Sequence, residues 1–268
     1  MEITRPTSLS AALEARADEP GASLLAGGTD LMVEVNFGHA RPDHVIALRR
    51  IAELAEIDGD RIGAGVTWAR LEKSNHRGLA QLARTVGSPQ IRAAGTIGGN
   101  IGTSSPAGDG LPWLAAIDAE IEVASKERGS RKLLWSDFFT GVKRNALAPD
   151  EVIVAAVLPE SVPQNQEFGK IGQRSAMVIS TVSACVVRDD DGRVRVALGS
   201  VAPTPVRARQ AEALIAENPN PDESVLDEFA RTVSAEVSPI TDHRSTESYR
   251  RHASGVLARR LLERCLAR

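Results

Sequence analysis

The sequence predicts an α+β protein of two units, and three features carry that reading. A short apolar strand runs into a glycine pair and then a helix-like segment near the start, the succession from which α/β lobes are built. Much later, two stretches of alternating apolar residues are joined by Asp189-Asp190-Asp191-Gly192, a hairpin signature. Three helical patterns then close the chain, so a small antiparallel sheet with helices on one face is expected there. At 268 residues the chain has room for two cores.

Taken in order, Ser8 caps a helix that places Leu9, Leu13 and Ala17 on one face and stops at Pro20-Gly21. Residues 22–25 form a strand, residues 31–37 a helix-like piece and residues 44–48 a second strand. Glycines and the alternating Ile62 and Val66 suggest short strands over 57–67, and residues 69–86 carry helical spacing up to the break at Gly87-Ser88-Pro89. Residues 95–112 are dense in Gly, Ser, Thr, Asn and Pro and read as an extended loop system. Residues 113–123 are first helical and then strand-like, and 126–130 turn a polar hairpin towards Leu133-Leu134-Trp135. A strand at 151–158 leads into a linker between Pro159 and Gln166. The units are therefore residues 1–162, in two lobes of about 1–55 and 56–162, and residues 165–268. In the second unit, strands at 181–188 and 193–201 precede helices at 207–215, 224–235 and 246–266.

Composition excludes several functions. The net charge of −3 provides no field that would draw the chain to nucleic acid or anionic lipid. No segment reaches the roughly 20 apolar residues of a membrane span. The opening residues lack a secretory pattern, so a cytoplasmic location is expected. Two cysteines, Cys185 and Cys265, are too few to hold a metal cluster. The five histidines show no ligand spacing, and neither G-x-S-x-G nor H-E-x-x-H occurs. The arginine-rich end of the chain has an apolar seam through Val256, Leu257, Leu261 and Cys265, as a packed helix does.

The candidate chemistry lies in two glycine-bearing segments. Ala26-Gly27-Gly28-Thr29-Asp30 stands between a strand and a helix, where successive backbone N–H groups can converge on an anion such as a pyrophosphate. Thr96-Ile97-Gly98-Gly99-Asn100 is followed by Ser104 and Asp109, which offer hydroxyl, amide and carboxylate groups to phosphate, ribose or a heterocycle edge. Neither segment matches the dinucleotide fingerprint G-x-G-x-x-G or the P-loop pattern. Two such segments, far apart in sequence, imply one ligand held between two lobes.

At these segments the sequence resembles the FAD-binding subunits of molybdenum hydroxylases, the xanthine dehydrogenase and carbon monoxide dehydrogenase family. The likeness lies in LLAGGTDLMVEV (24–35), in VGSPQIRAAGTIGGNIGTSSPAGDGLPWLAAIDAEIEV (86–123) and in FGKIGQRSAMVISTVSACVV. It continues through VRVALGSVAPTPVRARQAEA and SPITDHRSTESYRRHASGVLARRLL, covering nearly the whole chain in order. The resemblance implies a two-lobed flavin fold of the vanillyl-alcohol oxidase (PCMH) type. A small α+β domain follows it in the family, a three-stranded antiparallel sheet with helices on one face. It implies that Leu24, Leu25, Ala26, Gly27, Gly28, Thr29, Asp30 and Leu31 wrap the FAD pyrophosphate. Thr96, Ile97, Gly98, Gly99 and Asn100 would complete the phosphate and ribityl contacts, with Ser104 nearby and Asp109 on the adenosine side. Ile153 falls where the family packs an aliphatic side chain on the isoalloxazine, and Lys170 on a position that contacts the flavin. Val86 stands where some members carry an aromatic residue, which removes an adenine-stacking ring.

The resemblance further implies partners. A large subunit would carry the molybdenum cofactor and a small iron–sulfur subunit two 2Fe-2S clusters, in a heterotrimer that is often doubled. Electrons would pass from the nearer cluster to FAD and on to NAD, a quinone, a cytochrome or oxygen, without substrate turnover by this chain alone. Two other readings fit the glycine segments. One is a stand-alone PCMH-type flavin reductase or oxidase, against which the match at PITDHRSTESYRRH argues; the other is a non-catalytic scaffold whose glycines only make turns.

Overall fold

The computed structural model describes residues 1–268. The first lobe is a parallel sheet of three short strands, with His44–Ala47 between Glu2–Thr4 and Ser23–Leu25. Its helix Leu9–Asp18 starts as the sequence predicts, because the Ser8 hydroxyl accepts a bond from the Ala11 N–H at 3.2 Å. Ala12 on that helix joins Ile51, Leu54, Ala124 and Val154 in a small core, which ties the first lobe to the second.

The second lobe is a five-stranded antiparallel sheet in the order Ile57–Asp58, Arg61–Gly63, Val152–Val157, Glu120–Ser125, Gly129–Leu134. Val152–Val157 is its central strand and every residue of it is buried, as its unbroken apolar run requires. The ladder shifts register between Ile153 and Ala155. Such irregularities re-aim a side chain, and this one falls at the residue that enters the cleft described below.

The C-terminal sheet has four antiparallel strands where three were expected: Asn165–Ile171, Val182–Arg188, Val194–Gly199 and the two-residue Val206–Arg207. Two residues are too short to show an alternating pattern, so the last strand leaves no periodic signal. Both faces of this sheet are buried. Val182, Ala184 and Val186 point into a core with the helices Arg209–Glu217, Glu223–Glu236 and Glu247–Leu266. Cys185, Val187 and Ala197 point the other way, into the same core as Leu79, Leu82 and Trp113 of the second lobe. The helices Arg77–Thr85 and Gly110–Ala116 cover that face. Residues on either side of the linker therefore share one continuous apolar interior.

Residues 95–112 are not the extended loop their composition suggests, because a helix runs over Ile97–Thr103 and another begins at Gly110. Thr96 caps the first by accepting the Gly99 N–H at 3.0 Å, and Ile97 and Ile101, one turn apart, are buried in the main core. Burying two isoleucines contributes roughly 3–6 kcal/mol, which outweighs the cost of about 1 kcal/mol for each helical glycine. The helical spacing over 69–86 likewise resolves into two helices, Trp68–Leu71 and Arg77–Thr85, because the Ser74 hydroxyl accepts the His76 N–H and turns the chain between them.

Candidate functional site

A cleft of about 800 Å³ opens between the two lobes, with its mouth bordered by the C-terminal unit. Both glycine-bearing segments line it. Of the residues expected to touch a cofactor, only Ile97 and Ser104 stand outside it. Ile97 is core, and Ser104 is buried with its hydroxyl donating to the Ile101 carbonyl at 2.7 Å. Ser104 takes a left-handed backbone (φ 47°) that ends the helix Ile97–Thr103, so its role is to stop that helix.

The first segment leaves the carboxyl end of strand Ser23–Leu25. Gly28 has φ +74°, and a Cβ on Gly27 would strike the Ala94 carbonyl. The two glycines thus serve different needs, a left-handed turn and a close approach to the chain that enters the second segment. Across residues 26–31, six consecutive backbone N–H groups have no acceptor within the protein. Unpaired donors are rare in a folded chain, and a run of them in a concave site is a ready place for an anion.

The second segment differs. The Ile97 N–H donates to Val66 (3.0 Å), Gly98 to Ala64 (2.9 Å) and Asn100 to Thr96 (3.1 Å), while Gly99 is bound to the Thr96 hydroxyl. Its backbone donors from Ile97 to Asn100 are already satisfied, so beyond the Thr96 N–H it offers the cleft the Thr96 O–H and the Asn100 amide N–H₂. The other end of the Asn100 amide is fixed by accepting the Gly110 N–H at 3.2 Å. Gly98 packs so closely on Ala64 that a Cβ would overlap it, whereas a Cβ on Gly99 would meet only Thr96 Oγ1, at 3.3 Å. Gly99 thus keeps that wall of the cleft low.

Lys170 and Asp109 stand together in the lining of the cleft. They form one pair, Nζ to Oδ2 at 2.6 Å, each with less than a tenth of its side chain exposed. Lys170 also donates to the carbonyls of Thr85 (2.9 Å) and Val178 (3.1 Å), which uses all three of its protons. The Ser180 hydroxyl donates to the other Asp109 oxygen at 2.5 Å. Burial pushes the Asp109 carboxyl up from its usual range, and Lys170 and Ser180 pull against that. This cluster fastens three walls together: the end of Arg77–Thr85, the start of Gly110–Ala116 and the 172–180 segment of the C-terminal unit. Ser180, which the motif reading missed, gives no sign in sequence because its partner lies 71 residues away.

Two further bridges cross the cleft. The Thr103 hydroxyl donates to Asp30 at 3.1 Å, and Lys143 pairs with Glu34 at 2.8 Å. Ile153 also lines the cleft.

Residues 1–161 match the family described as FAD binding domain in molybdopterin dehydrogenase. The chain belongs to that family, and its cofactor is FAD. Residues 168–265 of this flavin subunit match a second family, CO dehydrogenase flavoprotein C-terminal domain. The putative xanthine dehydrogenase FAD-binding subunit of Escherichia coli is 32% identical, covering 98% of this chain and 95% of its own. The nicotinate dehydrogenase FAD-subunit of Eubacterium barkeri is 35% identical over 74% of this chain and 72% of its own. In structure, a chain of reconstituted CO dehydrogenase from Oligotropha carboxidovorans superposes with a TM-score of 0.92 at 28% identity, covering 100% of this chain and 98% of that one. The protein is thus an FAD-binding oxidoreductase component of the molybdenum hydroxylase type. None of its helices is long and apolar enough to cross a membrane.

Proposed function

We propose that this subunit relays electrons within a molybdenum hydroxylase, between the two 2Fe-2S clusters of a small subunit and an external acceptor. The large subunit would hold the molybdenum cofactor and choose the substrate. When bound, FAD supplies the ability to take electrons one at a time and give them up in pairs. This chain has no thiols available for clusters of its own: Cys185 and Cys265 are both fully buried, and burial pushes the Cys265 thiol up to about 12.

The observation that carries the reading is the run of open N–H groups at residues 26–31 in a cleft between two lobes. A pyrophosphate is an acceptor-only dianion and satisfies such donors. In this proposal Leu24 to Leu31 hold the pyrophosphate, and Thr96, Gly98, Gly99 and Asn100 form the facing wall. Ile153 packs beneath the ring system. Asp109 and Lys170, with every lysine proton engaged inside the protein, hold the walls in position, and the spare lone pairs of Asp109 face the cofactor. Residues 1–162 would form the cofactor unit and 165–268 the unit that closes one end of its cleft. The assembly would be a dimer of heterotrimers in the cytoplasm, passing electrons to NAD, a quinone, a cytochrome or oxygen.

Purification from the native host by a tag on this chain, followed by flavin, iron and molybdenum analysis, tests the proposal. FAD, iron and molybdenum eluting with the chain in about equal numbers of flavin and molybdenum are expected. A flavin-bearing chain that turns over a substrate without partners would overturn the relay.

A further inference from the structure

The lining of the cleft includes five charged side chains, and four of them are engaged. Lys170 is paired with Asp109, Glu34 with Lys143, and Asp30 accepts the Thr103 hydroxyl. The fifth, Arg49, has no hydrogen-bond or ion-pair partner and is exposed. It is the one cation of the lining whose charge nothing in the protein offsets.

Its place in the fold gives that charge a direction. Arg49 lies in the short 3₁₀ turn Leu48–Arg50 that follows strand His44–Ala47. The first glycine segment follows strand Ser23–Leu25, and these strands are parallel neighbours in register, Leu25 opposite Ala47. Ala26-Gly27 and Leu48-Arg49 therefore leave the same edge of the sheet side by side. That edge, at the carboxyl ends of parallel strands, is where α/β lobes receive ligands. Within the lining of the cleft, no other unpaired positive charge accompanies the open N–H groups of residues 26–31.

We propose that Arg49 is a cofactor-binding residue, whose guanidinium closes over the pyrophosphate held by residues 26–31 and offsets its negative charge. The inference rests on the reading of the first segment as the pyrophosphate site. Backbone N–H groups bring partial charges only, whereas a guanidinium brings a full charge and two parallel donors matched to a phosphate edge. On this view Arg49 sets how strongly the subunit selects phosphate-bearing flavins over riboflavin, which has the same ring and ribityl chain.

The test uses the full chain, with flavin removed and the affinities for FAD and for riboflavin measured by fluorescence at low and high salt. For Arg49→Gln, FAD should bind about tenfold more weakly, the effect of one charge-assisted bond. Riboflavin affinity should be unchanged, and the salt sensitivity of FAD binding should shrink; Arg49→Lys should recover part of both. An R49Q chain that binds FAD with wild-type affinity and salt sensitivity would overturn the role of Arg49 while leaving the FAD site intact. An equal loss of FAD and riboflavin affinity would overturn it too, since damage to the lobe then accounts for both. A wild-type chain that takes up riboflavin and FAD equally well would instead remove the pyrophosphate site on which the inference stands.

Discussion

Residues 26–31 and the helix Ile97–Thr103 face one cleft by opposite means. The first segment is half-buried to exposed, contributes nothing to any core cluster and leaves six N–H groups open. The second buries Ile97, Gly98 and Ile101, and its first-turn donors are bonded within the protein. The difference has a physical reason. A buried donor without an acceptor costs about 1–3 kcal/mol, so a run of open donors is stable only at a rim, where water satisfies them until a ligand does. A wall that must keep its shape with or without the ligand belongs in the core. On the proposed binding mode, one segment would be the recognising surface and the other the fixed surface against which it recognises.

The strongest way to break this contrast is to remove the clamp behind the fixed wall. Asp109→Ala leaves the almost fully buried Lys170 without its counter-ion, and should cost roughly 3–5 kcal/mol in urea unfolding. Lys170→Met should cost a similar amount, and the double change D109A/K170M less than the sum, because neither charge is then left alone. Gly98→Ala comes next. Its Cβ overlaps Ala64, and overpacking of this kind costs about 1–3 kcal/mol before any effect on flavin is considered.

Acid should loosen the loop that follows the second segment. The Pro106 carbonyl accepts the Ser200 N–H at 2.7 Å, Arg250 donates to Ser200 at 2.8 Å, and Arg250 is held in turn by Asp242 at 2.7 Å. Burial pushes the Asp242 carboxyl up, but N–H bonds from Arg244 and Ser245 and the Arg250 guanidinium outweigh it and hold it at about 2. The folded value lies below the unfolded one, so this contribution to stability is complete above about pH 4 and is lost as the pH falls towards 2. Unfolding monitored against pH should show that loss in the wild type and a flatter profile in Asp242→Asn.

The smallest effect on the fold separates shape from recognition most cleanly. Gly99→Ala adds a methyl that meets only Thr96 Oγ1, in a helix where alanine is favoured by up to about 1 kcal/mol. Its stability should equal or slightly exceed that of the wild type, while its FAD affinity drops because the methyl stands in the cleft. A stable G99A chain with undiminished flavin affinity would place the cofactor away from that wall.

Much of this was legible in sequence because it is local. Ser8 caps its helix as its position suggests, the Asp189–Gly192 turn joins two paired strands, and the helix Glu247–Leu266 starts at Thr246. The illegible parts depend on distant partners. Glycine and serine content hides the helix Ile97–Thr103, which exists because two isoleucines find a core built from other elements. The Lys170–Asp109–Ser180 cluster joins groups 61 and 71 residues apart. PITDHRSTESYRRH carries family likeness without saying why; the structure shows Asp242 and Arg250 within it as the brace for residues 106 and 200. Arg49 left no signal, because what distinguishes it is the register of two parallel strands.

Amide hydrogen exchange on the full chain, with and without FAD, reads the contrast between the two segments directly. FAD should slow exchange strongly across residues 26–31 and change it little at Ile97, Gly98 and Gly99, whose N–H groups are bonded already. Flavin binding with no added protection at 26–31, or with the main protection at 97–99, would contradict the account.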